Sequence, residues 1–180
     1  MIYSFFRRNK LFLINLISAS GLLASSDVFV QTFYEEKKVL DKKRLVAALA
    51  TGAVMGVEGH VWYSFLDQYI VKQTWPSVFK KVMLDQTIGA PFYTLTYIVG
   101  TSYIEGRASP RELISDIQTN FLPLYLVDCC IFFPIQIINF RYIPSSYRVP
   151  FLSILAFIFD AFISAYKHEH KGISVHDNLK

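Results

Sequence analysis

Residues 45–67, LVAALATGAVMGVEGHVWYSFLD, decide the fold. Wound as a helix at about 100° per residue, they place Ala48, Gly52, Gly56, His60, Tyr63 and Asp67 on one stripe, while Val61, Trp62, Phe65 and Leu66 point elsewhere. The stripe is small in its first half and polar in its second. Gly52-x-x-x-Gly56 is the spacing that lets two helices in lipid approach backbone to backbone, and the polar half sets an imidazole, a phenol and a carboxylate beside that contact. The pattern supports two readings: a close-packed helix pair with hydrogen bonds at its end, or a polar path lined by His60 and Asp67. Gly100 lies outside this stripe, so leucine at Gly56 is expected to weaken folding more than leucine at Gly100.

Composition points to a membrane. In 180 residues, 53% are hydrophobic, 16% aromatic and only 18% charged, with a mean hydropathy of +0.34. That is more apolar surface than one soluble domain of this size ordinarily buries. The expectation is an all-α integral membrane protein, a single domain over 1–180 made of four to five transmembrane helices plus short interfacial amphipathic helices. The net charge of +4 suits anionic head groups. No basic run is interleaved with aromatics on a soluble face, so no direct nucleic-acid binding is expected. Cys129 and Cys130 are adjacent in an apolar stretch, which fits neither a disulfide framework nor a zinc site.

The spans are read at about residues 11–31, 45–66, 86–104, 121–140 and 149–166, with a polar tail at 167–180. Arg7, Arg8 and Lys10 precede the first, which reads as a retained span because further hydrophobic segments follow it. Ser20, Ala24, Asp27 and Gln31 share one narrow arc of it. Residues 32–44 mix both signs of charge and read as a solvated connector. Thr74 and Pro76 open a short amphipathic helix expected at the interface, with Trp75 at head-group level. The third span begins at Asp85-Gln86 and contains Pro91, which needs a neighbour to satisfy a freed carbonyl. Ser109-Pro110-Arg111-Glu112 has capping-box spacing and starts the helix running into the fourth span. The Lys+Arg balance between the two sides is too even to orient the chain.

Asp128 and Asp160 lie nearest mid-span, where a carboxylate costs about 2.5–3.5 kcal/mol on insertion scales and must be protonated, paired or facing water. Enzyme motifs are absent: there is no G-x-S-x-G, no glycine-rich phosphate loop and no H-E-x-x-H. Glu58 and His60 project about 160° apart on a helix and cannot act as a pair. His60 with Asp67 is the one plausible proton-transfer pair, and it specifies no reaction without a nucleophile or metal. His168, His170 and His176 read as part of a solvated tail, so neither a metal nor a cofactor is expected.

Several blocks occur in the order of a known family: Asp27-x-x-x-Gln31, Arg44, Gly56-x-x-x-His60-x-Trp62-Tyr63-x-x-Leu66-Asp67, and Lys81-x-x-x-Asp85-Gln86 followed by Pro91. They continue with Gln136-x-x-Asn139-Phe140, Pro144 and Arg148, and then Ile163-Ser164. Over nearly its whole length the chain resembles the Mpv-seventeen / twenty-two-kilodalton peroxisomal membrane protein family. Ser26, Val57, Phe132-Phe133 and Phe159-Asp160 depart from the usual residues, which implies a divergent member. The resemblance implies a non-enzymatic, multi-pass protein of the mitochondrial inner membrane, or alternatively the peroxisomal membrane. It also implies a channel or pore for small solutes or ions, with a structural membrane protein lacking transport as the alternative, and allows a homo-oligomer in the bilayer. The residues expected to line a pore or join helices are Asp27, Gln31, Gly52, Gly56, His60, Tyr63, Asp67, Asp85, Gln86, Asp128, Asn139, Arg148 and Asp160.

Overall fold

A computed structural model describes residues 9–35, 39–104 and 109–158. These residues form helices and their connections, with no strand among them. Helix α1 (Lys10–Phe29) passes directly into a π turn at Val30–Tyr34. Helix α2 (Lys42–Tyr69) starts where the Asp41 side chain accepts from the backbone N–H groups of Lys43 and Arg44, at 3.0 and 3.2 Å. Helix α3 (Trp75–Leu84) runs through a second π turn, Asp85–Gly89, into α4 (Ala90–Ile104). Helix α5 (Pro110–Tyr142) opens on the Ser109/Glu112 capping box and is followed by α6 (Ser145–Ile158), which begins as a 3-10 turn.

Contacts between neighbours run in opposite chain directions: Ala19 meets Gly52 and Asn15 meets Gly56, Thr51 meets Gly100 and Trp62 meets Gly89, Ser102 meets Asp116 and Asp85 meets Gln136. The chain therefore goes up and down through α1, α2, α3–α4 and α5, and α6 turns back along the bundle. Lys10–Phe33, Lys42–Tyr69 and Pro110–Tyr142 are long and apolar enough to cross a membrane. The third pass differs from the sequence expectation. Residues 75–84 are no separate interfacial helix but the first part of the helix that continues to residue 104, and Val78, Lys81 and Val82 face inward.

The π turn has an identifiable cause. Pro91 has no N–H to donate, and Ala90 N–H already reaches back to Asp85 O, the five-residue spacing of a π turn. In that register Pro91 leaves Gln86 O without its donor. The Tyr125 hydroxyl on α5 donates to that carbonyl at 2.9 Å.

Inside and outside are reversed relative to a soluble protein. Asn15, Asp27, Gln31, Asp85, Gln86, Gln136, Asn139 and Arg148 are buried, while Val46, Val54, Val61, Phe65, Phe92, Leu122 and Leu126 are exposed. This is the surface of a protein solvated by lipid, and the chain is an all-α multi-pass membrane protein. The fifth expected span is described only to residue 158, so Asp160 and the tail lie outside the described residues.

The small stripe of α2 is where α1 lies against it. A Cβ on Gly52 would stand 2.7 Å from Ala19 O, and one on Gly56 would stand 2.8 Å from Asn15 O. Gly100 is equally confined: its Cβ would fall 2.2 Å from Thr51 Cγ2, so the expectation that Gly100 tolerates leucine better is not supported by its surroundings. The contact joins α4 to α2 and was hidden because it depends on α4's rotation. Gly21, in contrast, has nothing within 4 Å of its Cβ position. Leucine at Gly56 and at Gly100 should each lower stability by about 1–3 kcal/mol or more through overpacking. Gly21→Leu should leave the unfolding midpoint of the detergent-purified protein unchanged or slightly raised. A midpoint for Gly100→Leu equal to that of Gly21→Leu would contradict the tight α2–α4 contact.

Candidate functional site

The centre of the bundle holds a cavity of about 160 Å³ bounded by α1, α2, α4, α5, α6 and the second π turn. Tyr63, Asp85, Gln86, Tyr93, Asp128, Gln136 and Ser153 supply its polar groups, and Leu22, Met55, Phe132, Val149 and Phe157 are among its apolar walls. The π turn sets Asp85 and Gln86 on consecutive positions of this inner face, both buried.

Asp85 is held from two other helices. Trp62 Nε1 on α2 donates to Asp85 Oδ1 at 2.8 Å, and Gln136 Nε2 on α5 donates to Asp85 Oδ2 at 2.7 Å. The second hydrogen of the Gln136 amide goes to the Tyr63 hydroxyl at 2.9 Å, and its oxygen accepts from Asn139 Nδ2 at 2.8 Å. Gly89 is required beside this network, because a Cβ there would stand 2.6 Å from Trp62 Nε1 and 3.0 Å from Asp85 Oδ1. All the donors to Asp85 are neutral. Among the described residues no Lys, Arg or His lines the cavity.

Other expected residues lie elsewhere. Asp27 binds Arg44 Nε at 2.5 Å and accepts from Gln31 Nε2 at 2.7 Å, while Gln31 Oε1 accepts from Asp41 N. Arg44 also reaches Glu35 at 2.7 Å, so this cluster ties the end of α1 to the start of α2. At the opposite end, Asp67 takes Lys81 Nζ at 2.6 Å together with Arg148 Nη1. Lys81 and Arg148 also stand over the Phe140 ring, with centroid distances of 5.9 and 5.1 Å. His60 accepts from Asn15 Nδ2 at 3.3 Å and meets Phe12 edge-on. The expected His60–Asp67 pair is therefore not formed: two turns of α2 separate them and each has its own partners. Gly52 and Gly56 serve the α1 contact, and Asn139 anchors Gln136.

Tyr93 and Gln136 line the cavity and Trp62 holds Asp85 beside it, and none of the three is among the residues expected from the sequence. Gln136 and Trp62 did stand in the motif blocks, which was the available signal. Glu58, set aside as a partner of His60, accepts from Thr96 Oγ1 at 2.5 Å across the α2–α4 contact. Ser102 Oγ donates to Asp116 Oδ2 at 2.7 Å and ties α4 to α5.

The fold and this interior define a lipid-embedded helical protein with polar clusters at both ends and a mainly apolar central cavity bordered by Asp85, Asp128 and Gln136. The Mpv17 / PMP22 family model matches residues 102–164. "PXMP2/4 family protein 4" of Dictyostelium discoideum is 27% identical over 158 residues, covering 86% of this chain and 85% of its own length. "Peroxisomal membrane protein PMP22" of Arabidopsis thaliana is 27% identical over 150 residues, 82% of this chain and 78% of its own. "Mitochondrial inner membrane protein Mpv17" of Danio rerio is 23% identical over 158 residues, 84% and 86%. The chain is thus similar to the Mpv17 / PMP22 family model over residues 102–164 and to relatives of those names over most of its length. No solved structure matches it.

The network predicts unequal costs. Trp62→Phe removes one donor and should cost about 0.6 kcal/mol, the mean for hydrogen bonds between helices in lipid. Gln136→Leu leaves Asp85, Tyr63 and Asn139 short of a partner at once and should cost several times more. Unfolding curves in detergent check the order, and Gln136→Leu no worse than Trp62→Phe would remove Gln136 from the centre of the network.

Proposed function

We propose that this protein is an organellar membrane channel or pore-forming protein for small solutes, with the central cavity as part of its polar path. The observation that carries this reading is that Asp85, Gln86, Asp128 and Gln136 face one mid-bundle cavity with no cationic side chain among the described residues to neutralise it. Uncompensated polar groups at membrane depth are expensive and are kept where water, ions or substrates meet them. The printed names of the relatives favour the mitochondrial inner membrane, with the peroxisomal membrane as the alternative. Contribution to membrane homeostasis follows from controlled permeability. The reading includes no enzymatic step and no contact with nucleic acid. The reading allows a homo-oligomer in the bilayer.

The competing reading is a structural membrane protein without transport. It is favoured by the two end clusters, where Asp27 and Asp67 are consumed by Arg44, Lys81 and Arg148 and only join helices. Purified protein in planar bilayers separates the two. The channel reading expects discrete conductance in the parent protein and a lower cation preference in well-folded Asp128→Asn, which keeps shape and removes the charge. Unchanged selectivity in Asp128→Asn would take Asp128 out of the path, and absence of conductance from folded parent protein would favour the structural role.

A further inference from the structure

The acids of the described chain are shared unevenly between the two ends of the bundle. One end gathers the start of α1, the connection from α2 to α3 and the turn from α5 to α6, and its cations are Lys10, Lys72, Lys80, Lys81, Arg141 and Arg148. Asp67 is the one acid there among the described residues, and it is already bound to Lys81 and Arg148. At the other end, Asp27, Glu35, Asp41, Glu112 and Asp116 stand against Lys42, Lys43, Arg44 and Arg111. Lys72 and Lys80 are exposed, and Lys80 Nζ lies 5.2 Å from the centre of the Tyr69 ring. Arg141 Nη1 donates to Gln73 O at 2.8 Å, which pins the guanidinium at the α2–α3 connection, 5.1 Å from the centre of the Trp75 ring and 5.9 Å from that of Tyr142. Among the described residues, Lys72, Lys80 and Arg141 have no carboxylate partner.

We propose that this end of the bundle binds the headgroups of anionic phospholipids, with Lys72, Lys80 and Arg141 as the cations that meet the lipid phosphates. The level fits: the apolar helices Lys42–Tyr69 and Pro110–Tyr142 both stop here, and Tyr69, Trp75, Tyr142 and Tyr147 are exposed around it, the side chains that sit where a bilayer meets water. The charge fits as well. A Lys or Arg beside an anionic leaflet strengthens the attraction about fivefold per charge, and no free acid at this end offsets it, whereas the mixed charges of the opposite end cancel locally. Arg141 is the anchor of the set, because a planar guanidinium already held by a carbonyl and two rings presents its remaining donors to phosphate oxygens at little further cost in side-chain freedom. A nucleic acid is the poorer partner, since Val71 and Phe79 stand exposed between these cations and call for acyl chains beside the phosphate. The inference is independent of conduction and of the central cavity.

Trp75 reports on the lipids at this end. The full chain is placed in phosphatidylcholine nanodiscs in which a minor fraction of the lipid is phosphatidylglycerol brominated near the top of its acyl chains. Quenching of tryptophan fluorescence is compared with that in discs where the same fraction of phosphatidylcholine is brominated, and Trp75→Phe supplies the background from Trp62. The expected relative association of phosphatidylglycerol over phosphatidylcholine is about fivefold or more at low ionic strength, and it should fall as potassium chloride is raised. Lys72→Gln combined with Lys80→Gln, which leaves the Arg141–Trp75 contact in place, should bring the ratio below about half of the parent value, and adding Arg141→Gln should lower it further. Lys42→Gln combined with Lys43→Gln, at the opposite end, should leave it unchanged. Each variant is checked by its size-exclusion profile. Equal quenching by the two lipids in the parent protein, an unchanged ratio in the folded Lys72/Lys80 variant, or an equal loss in the Lys42/Lys43 variant would overturn the proposal. Abolition of the preference by soluble glycerol phosphate at unchanged ionic strength would also overturn it, by making this a site for free phosphate esters and not for the bilayer.

Discussion

The carboxyl group of Asp85, held by an indole N–H and an amide N–H inside the bundle, is the interaction on which the remaining interior depends. It draws on three passes of the chain, and each partner has a second task. Trp62 needs Gly89 to approach, Gln136 also holds Tyr63 and Asn139, and the π turn that carries Asp85 exists because Pro91 interrupts the third pass. Lipid offers no competing hydrogen bonds, so a buried polar group must be satisfied within the protein or by something it encloses. The network satisfies Asp85 with neutral donors, and Asp128 lines the same cavity from α5.

Charge is divided by position. At the two ends, Asp27 with Arg44 and Asp67 with Lys81 and Arg148 form compact ion pairs that tie α1 to α2 and α2 to α3 and α6. Arg148 is 2% exposed and Lys81 4%, so the cations of the second cluster are interior, while Asp67 and Arg44 are half-buried. Breaking such a pair by removing one partner leaves an uncompensated buried charge, typically about 3–5 kcal/mol. The central region carries acids without cations among the described residues. Ion pairs stitch the two ends, and the acids of the central cavity lie between them.

Local signals in the sequence were legible. The Gly52/Gly56 stripe marks a backbone contact with α1, Ser109 and Glu112 mark the start of α5, and the apolar runs mark three long helices, because each depends on residues within a few turns. Pairings across the bundle were not. Gln136 is 51 positions from Asp85 and Arg148 is 81 from Asp67, and periodicity within one helix cannot choose between partners on others. Trp62 reads as an apolar side chain until its N–H finds Asp85. The third pass was divided in the sequence reading because Trp75 and Pro76 resemble an interfacial start, whereas the π turn carries the helix straight on. Glu58 and Gly100 gained partners through the rotation of α4, which no local pattern specifies.

The central claim is that Asp85 and Gln136 are energetically coupled across α3–α4 and α5. A double-mutant cycle with Asp85→Ala, Gln136→Ala and the pair, read from reversible unfolding in mixed micelles, measures that coupling directly. The account predicts an interaction energy at or above about 1 kcal/mol, toward the upper end of values seen for hydrogen bonds between membrane helices. Additivity of the two single substitutions within about 0.3–0.5 kcal/mol would contradict it.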